Sequence, residues 1–219
     1  MEKGGVEVTA GPDASSVVLP NEPHDSNGRG EWPHWPSVVP TLVNGTTTLR
    51  ELCEADAPSL LALISTEQVS EFISTPPTTL EGYQAFIRWS HRRRAERRLL
   101  CFGVVPGGFE AAVGIFQLQV PPDRTPEWGF ALGSSFWGTG LFRESAEAVL
   151  DFAFRGMGLT ELAARAAVDN RRGNAALEKI GAVRARVIPN GLSKDGRTYD
   201  ETYWTVSADR RPPRKVTWT

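Results

Sequence analysis

Hydrophobic residues follow two different spacings along the chain, and the two alternate in blocks. Runs typical of strands cover 46–50, 99–106, 111–120, 127–132, 161–168, 182–188 and 200–207. Helical spacing follows Asp56, follows a capping box at Thr78–Glu81, and covers about 141–155 and 173–180. The order β-α-α-β-β-β-α-β-α-β-β predicts an α+β fold. Because the unit over 127–168 reads strand–helix–strand, it predicts a parallel crossover and therefore a mixed sheet.

The two ends of the chain lack this periodicity. Residues 1–40 are rich in Gly, Pro and acidic side chains, with only Lys3 and Arg29 as basic ones. Such a segment buries too little apolar surface to offset the entropy of ordering it. We therefore expect 1–40 to be a disordered or loosely docked tail, 41–210 to form one domain, and 211–219 to be a C-terminal tail.

Composition and charge narrow the class of protein. The 219 residues include 24 Lys+Arg and 26 Asp+Glu, and the net charge of −2 argues against a general polyanion binder. The sequence contains no long uncharged apolar run of the kind that spans a membrane. Cys53 and Cys101 match no metal-ligand spacing and indicate a reducing compartment. Since no export signal is recognisable, we expect a cytoplasmic protein without a metal.

One dense cluster departs from this charge balance. Arg92–Arg98 carries five arginines in seven residues. Such a patch could contact RNA or the ribosome through phosphates. A solvated helix end, where cations interact favourably with the helix dipole, is the usual explanation of such a patch, and no aromatic residues are interleaved for base stacking. Nucleic acid is therefore an unlikely partner.

The segment Phe136-Trp137-Gly138-Thr139-Gly140-Leu141 lies between a predicted strand and a predicted helix start. Two glycines there let the backbone approach a bulky anion, and the free N–H groups and the helix dipole favour negative charge. A tight turn without any ligand is the alternative. The two common nucleotide motifs do not fit, because Arg143 stands where a dinucleotide fingerprint needs glycine and no Gly-Lys-Ser/Thr follows.

Several motifs in order resemble the GNAT superfamily of acetyltransferases, in particular its ribosomal-protein-alanine acetyltransferase branch. They are Glu127-Trp128-Gly129-Phe130-Ala131-Leu132, the glycine segment leading into Glu144, the run from Asn170 to Ala182, and Asp195-Gly196-Arg197-Thr198-Tyr199-Asp200-Glu201. The likeness covers about 42–209. It implies a central mixed sheet that is splayed into a V between 127–132 and 162–168 and flanked by helices.

The resemblance also implies acetyl-CoA as co-substrate and assigns residues to it. The cofactor arm would lie in the V against backbone of Phe130, Ala131 and Leu132, with N–H groups near Ala131 and Leu132 polarising the thioester carbonyl. The pyrophosphate would sit on N–H groups from Trp137 through Gly138, Thr139, Gly140 and Leu141 to Phe142. Asn170 and Asn174 complete the implied set of cofactor-binding residues.

The resemblance implies direct attack of an amine on acetyl-CoA. A tyrosine general acid used by many superfamily members is excluded here, because the matching residue is Leu177. Glu127 is the candidate general base; the alternatives are a surface glutamate that begins an edge strand, or one that orients substrate. The acceptor, a protein N-terminal α-amine or a small-molecule amine, is left open, as is a monomer or homodimer. A catalytically weak acyl-CoA sensor is a further alternative.

Overall fold

The computed structural model describes residues 35–121, 125–211 and 216–219. The part of the predicted tail at 1–34 lies outside the described residues. The rest of that segment contacts the domain: the indole Nε1 of Trp35 donates a hydrogen bond of 3.2 Å to the carbonyl oxygen of Arg94, and Val39 is buried.

The described residues form strands and helices in the order that the sequence predicts, with one additional short helix, Glu67–Ser70, and additional short strands. The helices are α1 (Ala57–Ile64), α2 (Glu67–Ser70), α3 (Leu80–Ala95), α4 (Leu141–Asp151) and α5 (Arg171–Lys179). The strands are β1 (Leu42–Asn44), β2 (Thr47–Glu51), β3 (Leu99–Pro106), β4 (Gly114–Gln119), β5 (Glu127–Leu132), β6 (Glu161–Ala167), β7 (Val183–Lys194), β8 (Arg197–Ser207) and β9 (Thr217–Trp218).

These strands form one mixed sheet in the order β7-β8-β6-β5-β4-β3-β2-β1-β9. Neighbours among the described strands run antiparallel except β5 and β6, which are parallel. A parallel pair needs a crossover, and α4 supplies it. The predicted α+β class with a mixed central sheet is therefore confirmed.

The sheet opens between its two parallel strands. β5 and β6 share a single registered pair, Glu127 with Ala163, next to a 2.8 Å hydrogen bond from the N–H of Ala163 to the carbonyl of Pro126. On its other side β6 pairs with β8 at seven consecutive positions. Because β6 follows β8 and leaves β5, the strands diverge beyond Glu127, and the predicted V is confirmed.

Helices cover both faces of the sheet. Leu60, Tyr83 and Phe86 of α1 and α3 are buried on one face. Val149 and Leu150 of α4 are buried on the other. Each helix places its apolar residues on one side, which is the pattern that helical spacing predicts. No helix in the described ranges is long and apolar enough to cross a membrane.

Three segments differ from the sequence expectation. β7 continues through Pro189–Lys194, where turn residues predict a loop, and the strand absorbs them with an irregular register between Ile188 and Leu192. The helix predicted to reach residue 155 is α-helical only to Asp151 and continues as a π-helical turn over Phe152–Gly156. Residues 217–218, in the predicted C-terminal tail, pair as β9 with β1.

Candidate active site

The glycine segment forms an open loop at the start of α4. Gly138 and Gly140 have φ of 78° and 93°, a left-handed backbone that glycine adopts without strain. A Cβ at either position would meet no heavy atom within 4 Å. Among the described residues, no acceptor receives the N–H groups of Gly138, Thr139 or Gly140. The loop thus presents three unpaired donors to open space beside a helix N-terminus, which suits a phosphate.

Residues flanking these donors are partly occupied. The N–H of Trp137 donates to the carbonyl of Ser134 at 3.1 Å, so it is not available to an anion in this conformation. The hydroxyl of Thr139 donates to the carbonyl of Phe136 at 2.8 Å. Phe142 turns its ring inward, with its centroid 4.6 Å from that of Phe130. The aromatic ring therefore fixes the first turn of α4 against β5.

Alternation along β5 decides which backbone groups face the cleft. The N–H of Gly133 donates to Val113 beside β4, whereas the carbonyl of Pro126 accepts from β6. Since successive residues of a strand turn their backbone groups to opposite edges, Phe130 and Leu132 face the cleft and Ala131 faces β4. The carbonyl of Leu132 accepts a hydrogen bond of 2.9 Å from the indole Nε1 of Trp137. The backbone N–H of Leu132 remains as the donor on the cleft side.

A cavity occupies the gap between β5 and β6. It is lined by Phe72, Ile73, Ser74, Trp128, Gly129, Phe130, Arg165, Ala166, Asn170, Gly173, Leu177, Leu192 and Glu201. Most of these side chains are apolar, and the charged ones among them are Arg165 and Glu201. The cavity therefore combines an apolar wall with a buried polar base.

The charges at that base form a buried cluster of Glu127, Arg165 and Glu201, called here the Arg165 cluster. Glu127 is 7% exposed and Glu201 6%. The guanidinium of Arg165 meets both carboxylate oxygens of Glu127 at 3.0–3.2 Å, and its Nη1 lies 3.7 Å from Oε2 of Glu201. Glu127, the predicted base, is thus buried rather than a surface glutamate, and it is absent from the residues that line the cavity.

The environment of Glu201 changes its acidity. Burial raises the pKa of Glu201, the positive charge of Arg165 lowers it, and the negative charge of Glu127 raises it again, so the pKa lies above its ordinary value. The Oε2 atom is buried without a hydrogen-bond partner. A carboxylate with a raised pKa in a cavity is typical of sites that exchange protons.

The two predicted asparagines play different parts. Oδ1 of Asn170 accepts from the N–H of Gly173 at 2.8 Å and caps α5, and the residue lines the cavity. The amide nitrogen of Asn174 donates to the carbonyls of Ala167 and Asn170, and its Oδ1 accepts from the indole of Trp204 at 2.9 Å. Asn174 therefore fixes the turn from β6 into α5, whereas Asn170 stands at the cleft.

Sequence reasoning missed Arg165 and Glu201 as site residues. A signal for the first exists, because Arg165 is the one charged residue within the run Leu162-Ala163-Ala164-Arg165-Ala166-Ala167. A charge in a buried strand requires a partner. No local pattern links Arg165 to Glu127 or Glu201, which are 38 and 36 residues away in the chain and meet only through the sheet.

Comparison with known proteins agrees with this architecture. The family model described as acetyltransferase (GNAT) domain matches residues 46–183. The chain is 25% identical to the uncharacterized N-acetyltransferase YoaA of Bacillus subtilis, over 79% of this chain and 99% of YoaA.

Two solved structures share the fold. Mycobacterium smegmatis RimJ in complex with CoA-disulfide superposes with a TM-score of 0.70 at 20% identity, covering 82% of this chain and 91% of RimJ. The ribosomal-protein-S5-alanine acetyltransferase of Vibrio fischeri gives 0.68 at 16% identity, covering 78% and 99%. At these identities the likeness shows the fold.

Proposed function

The chain belongs to the GNAT acetyltransferase family and is an acetyl-CoA-dependent acyltransferase, and we propose that it acetylates a primary amine of low pKa, a protein N-terminal α-amine in the first place. One observation carries the proposal: β5 and β6 part beyond Glu127, and the gap holds an apolar cavity with a buried carboxylate. An ammonium group would be drawn to that carboxylate, and its apolar surroundings suit a short side chain next to the amine.

The residues of the cleft fit acetyl-CoA as the acyl donor. The cleft-side backbone of Phe130 and the N–H of Leu132 are open to an extended chain with amide groups, which would pair as an added strand does. The unpaired N–H groups of Gly138, Thr139 and Gly140 suit a pyrophosphate. Asn170 borders the same cavity. Acetyl-CoA, when bound, would supply the acetyl group as a reactive thioester.

The chain's own groups would then promote direct transfer. The nitrogen of an unprotonated amine attacks the thioester carbonyl, the N–C bond forms, and the C–S bond breaks. The N–H of Leu132 faces the cleft, where it can donate to the oxygen on which negative charge develops. The Arg165 cluster supplies carboxylates for the proton; of the two, Glu127 remains a predicted base, but its pairing with Arg165 favours an orienting role.

The acidity of the acceptor sets how much help it needs. An α-amino group has a pKa of about 7.7–8.0 and is partly neutral at pH 7, whereas a lysine at about 10.4 is almost fully protonated. Because the Glu127 carboxylate is tied to Arg165, it gives little help in deprotonating the acceptor, which favours an amine of low pKa. A small-molecule amine of similar pKa is the second candidate acceptor.

The RNA-binding alternative loses support from the structure. Within the Arg92–Arg98 patch, Arg93 pairs with Glu96 at 2.9 Å and Arg94 with Glu51 at 2.6 Å. The nearby carboxylates offset part of the positive charge that a phosphate backbone would need. The patch therefore resembles a solvated helix end more than a nucleic-acid interface.

Thiol release from acetyl-CoA tests the proposal. The panel should contain peptides with free N-termini, the same peptides with blocked N-termini and a free lysine, aminoglycosides, polyamines and free amino acids. We expect release with free N-terminal peptides, and mass spectrometry should place the acetyl group on the α-nitrogen. Binding of acetyl-CoA without release for any amine would identify a sensor, and preference for the blocked lysine peptides would refute the α-amine assignment.

A further inference from the structure

Arg165 divides its hydrogen bonds unequally between its two carboxylate neighbours. Three contacts of 3.0–3.2 Å join it to Glu127, in the paired geometry that guanidinium and carboxylate favour. The nearest contact to Glu201 is 3.7 Å, which is beyond hydrogen-bond distance. The acceptor capacity of Glu127 is thus largely used, whereas Oε2 of Glu201 has no hydrogen bond among the described residues.

The two carboxylates also differ in their access to the cleft. Glu201 lines the cavity between β5 and β6, and Glu127 does not. Glu201 lies on β8 opposite Ala167, near the open end of the V, while Glu127 lies at its closed end opposite Ala163. Glu201 and Arg165 therefore border the space that a ligand in the cavity would occupy, whereas Glu127 contacts Arg165 without bordering that space.

On this geometry, and resting on the proposed amine acetylation, we propose that Glu201 accepts the proton of the acceptor ammonium, and that Glu127 positions Arg165. Glu201 is then the catalytic base, and Glu127 and Arg165 are positioning residues. The assignment replaces a base on β5 with one on β8.

The charges facing Glu201 fit this role. Burial raises its pKa; among its charged neighbours, Arg165 of β6 lowers the pKa and Glu127 of β5 raises it. The net direction is upward, which moves the carboxylate nearer to the pKa of an α-amine. A base is most effective when its pKa lies near the working pH.

The proton balance of the step closes without another reactant. The ammonium of the acceptor gives one proton to Glu201, and the resulting amine attacks the thioester carbonyl with its lone pair. As the N–C bond forms and the C–S bond breaks, the nitrogen loses its second proton and the departing thiolate of CoA takes up that proton. Glu201 passes its proton to solvent between turnovers, so the net products are the amide, free thiol and one proton.

A merely structural Glu201 would hold Arg165 in place and nothing more. Its replacement would then lower activity by the same factor at every pH. A proton acceptor predicts a different result, because a high pH deprotonates the amine without help. The shape of the pH–rate profile therefore separates the two roles.

The test uses full-length wild type, Glu201→Gln and Glu127→Gln with acetyl-CoA and an N-terminal alanine peptide. We expect Glu201→Gln to lower kcat/KM for the peptide about tenfold near pH 7, where roughly a tenth of an α-amine is neutral without help. The loss should shrink to less than about twofold near pH 9.5, where most of an α-amine is neutral. The KM for acetyl-CoA should stay within about threefold. A loss that is constant over this pH range would overturn the proposal.

Glu127→Gln gives the opposite signature. Without Glu127, Glu201 loses a like charge and gains the full guanidinium of Arg165, so its pKa should fall and the acid limb of the profile should move to lower pH. If the acid limb of the pH–rate profile stays at the wild-type pH in Glu127→Gln and is still present in Glu201→Gln, the base is a residue other than Glu201.

A titration of the protein alone keeps this test separate from the identity of the acceptor. In wild type labelled with ¹³C at the glutamate carboxyl group, the resonance that Glu201→Gln removes should titrate above the ordinary glutamate range. A Glu201 resonance that titrates in or below the ordinary glutamate range would overturn the proposal. If Glu201→Gln does not fold, the resonance is assigned from its loss in Glu201→Asp instead. Failure of wild type with every amine would refute the proposed function instead.

Discussion

The guanidinium carbon of Arg172 lies 4.2 Å from the ring centroid of Trp137, in a cation–π contact that spans the mouth of the cleft. Trp137 follows β5, and Arg172 is the second residue of α5, the helix that follows β6. The two strands that part in the middle of the sheet are thus joined again at their open end. The indole also donates to the carbonyl of Leu132, so one side chain ties the glycine loop to both walls.

Loss of this contact should weaken cofactor binding modestly. Arg172→Ala removes an interaction of about 0.5–1 kcal/mol, and we expect a twofold to fivefold higher KM for acetyl-CoA. Arg171→Ala removes the same charge from the adjacent position and is the matched control. Equal effects of the two variants would show that charge, and not the stacked geometry, is what matters.

Glu144 links the glycine loop to the first hairpin. It stands in the first turn of α4, its Oε2 accepts from the hydroxyl of Thr47 at 2.5 Å, and its carbonyl accepts from Asn44 at 2.9 Å. Thr47→Val leaves this carboxylate without its hydroxyl donor in a buried place. We expect the free energy of unfolding to fall by about 1–3 kcal/mol, measured by urea titration. Thr48→Val, the neighbouring position on β2, should change it by less than about 0.5 kcal/mol; an equal loss would contradict the role of the hydrogen bond.

Asp56 is a buried carboxylate that stabilises the start of α1 through neighbours rather than as a helix cap. It accepts two 2.8 Å hydrogen bonds from Arg50 and one each from the N–H groups of Cys53 and Ala112 at 2.9 Å. Burial alone would raise the pKa of Asp56, but these hydrogen bonds bring it below its ordinary value. A lowered folded-state pKa means that the stabilisation is present above the unfolded pKa, about 3.9, and is lost as the pH falls through the folded value.

Asp56→Asn should therefore lower the free energy of unfolding by about 2–4 kcal/mol at pH 7, and the difference from wild type should shrink below about pH 4. Chemical denaturation at a series of pH values measures it. Glu54→Gln is the control, because its ion pair with Arg88 is about half exposed on both sides and should contribute less than about 1 kcal/mol. A difference that does not change with pH would contradict the role of the charge.

Periodicity predicts the parts of this fold that are locally determined. α3 and α4 bury one face each, and β3 to β5 carry runs of apolar residues. The helices and the strands can therefore both be recognised from the spacing of hydrophobic residues. β1 and β9 are three and two residues long. They form because β1 pairs with β2 on one side and with β9 on the other. The continuation of β7 to Lys194 depends on β8, with which Leu192–Lys194 pair after an irregularity at Pro189–Gly191, where Asn190 keeps the left-handed backbone of a turn residue.

The residues of the candidate site also fall into those that local motifs predict and those that only the folded sheet brings together. The glycine loop and the β5 strand follow from motifs that are contiguous in the chain, and the family resemblance indicates Asn170 as well. The Arg165 cluster could not be predicted, because its three members lie on three strands that the sheet brings together. The pairing of Glu127 with Arg165 is the observation from which we propose that Glu127, predicted as the base, is a positioning residue.

Calorimetric titration of CoA into Gly140→Asp is the decisive measurement for the proposal that the cofactor's pyrophosphate binds the Gly138–Gly140 loop. A carboxylate there repels the ligand by on the order of 1–4 kcal/mol at 4 Å, and each lost charge-assisted bond costs roughly 1.5–3 kcal/mol more. Gly140→Asn is the matched control, since Asn and Asp adopt the left-handed backbone about equally well and only Asp adds charge.

Because a side chain at residue 140 points into open space, both variants should fold, and circular dichroism checks this. We expect Gly140→Asp to weaken CoA binding by at least about a hundredfold, which corresponds to about 2.7 kcal/mol, and Gly140→Asn to weaken it by clearly less. Equal CoA affinities for wild type and Gly140→Asp would contradict the proposal and place the phosphates elsewhere on the molecule.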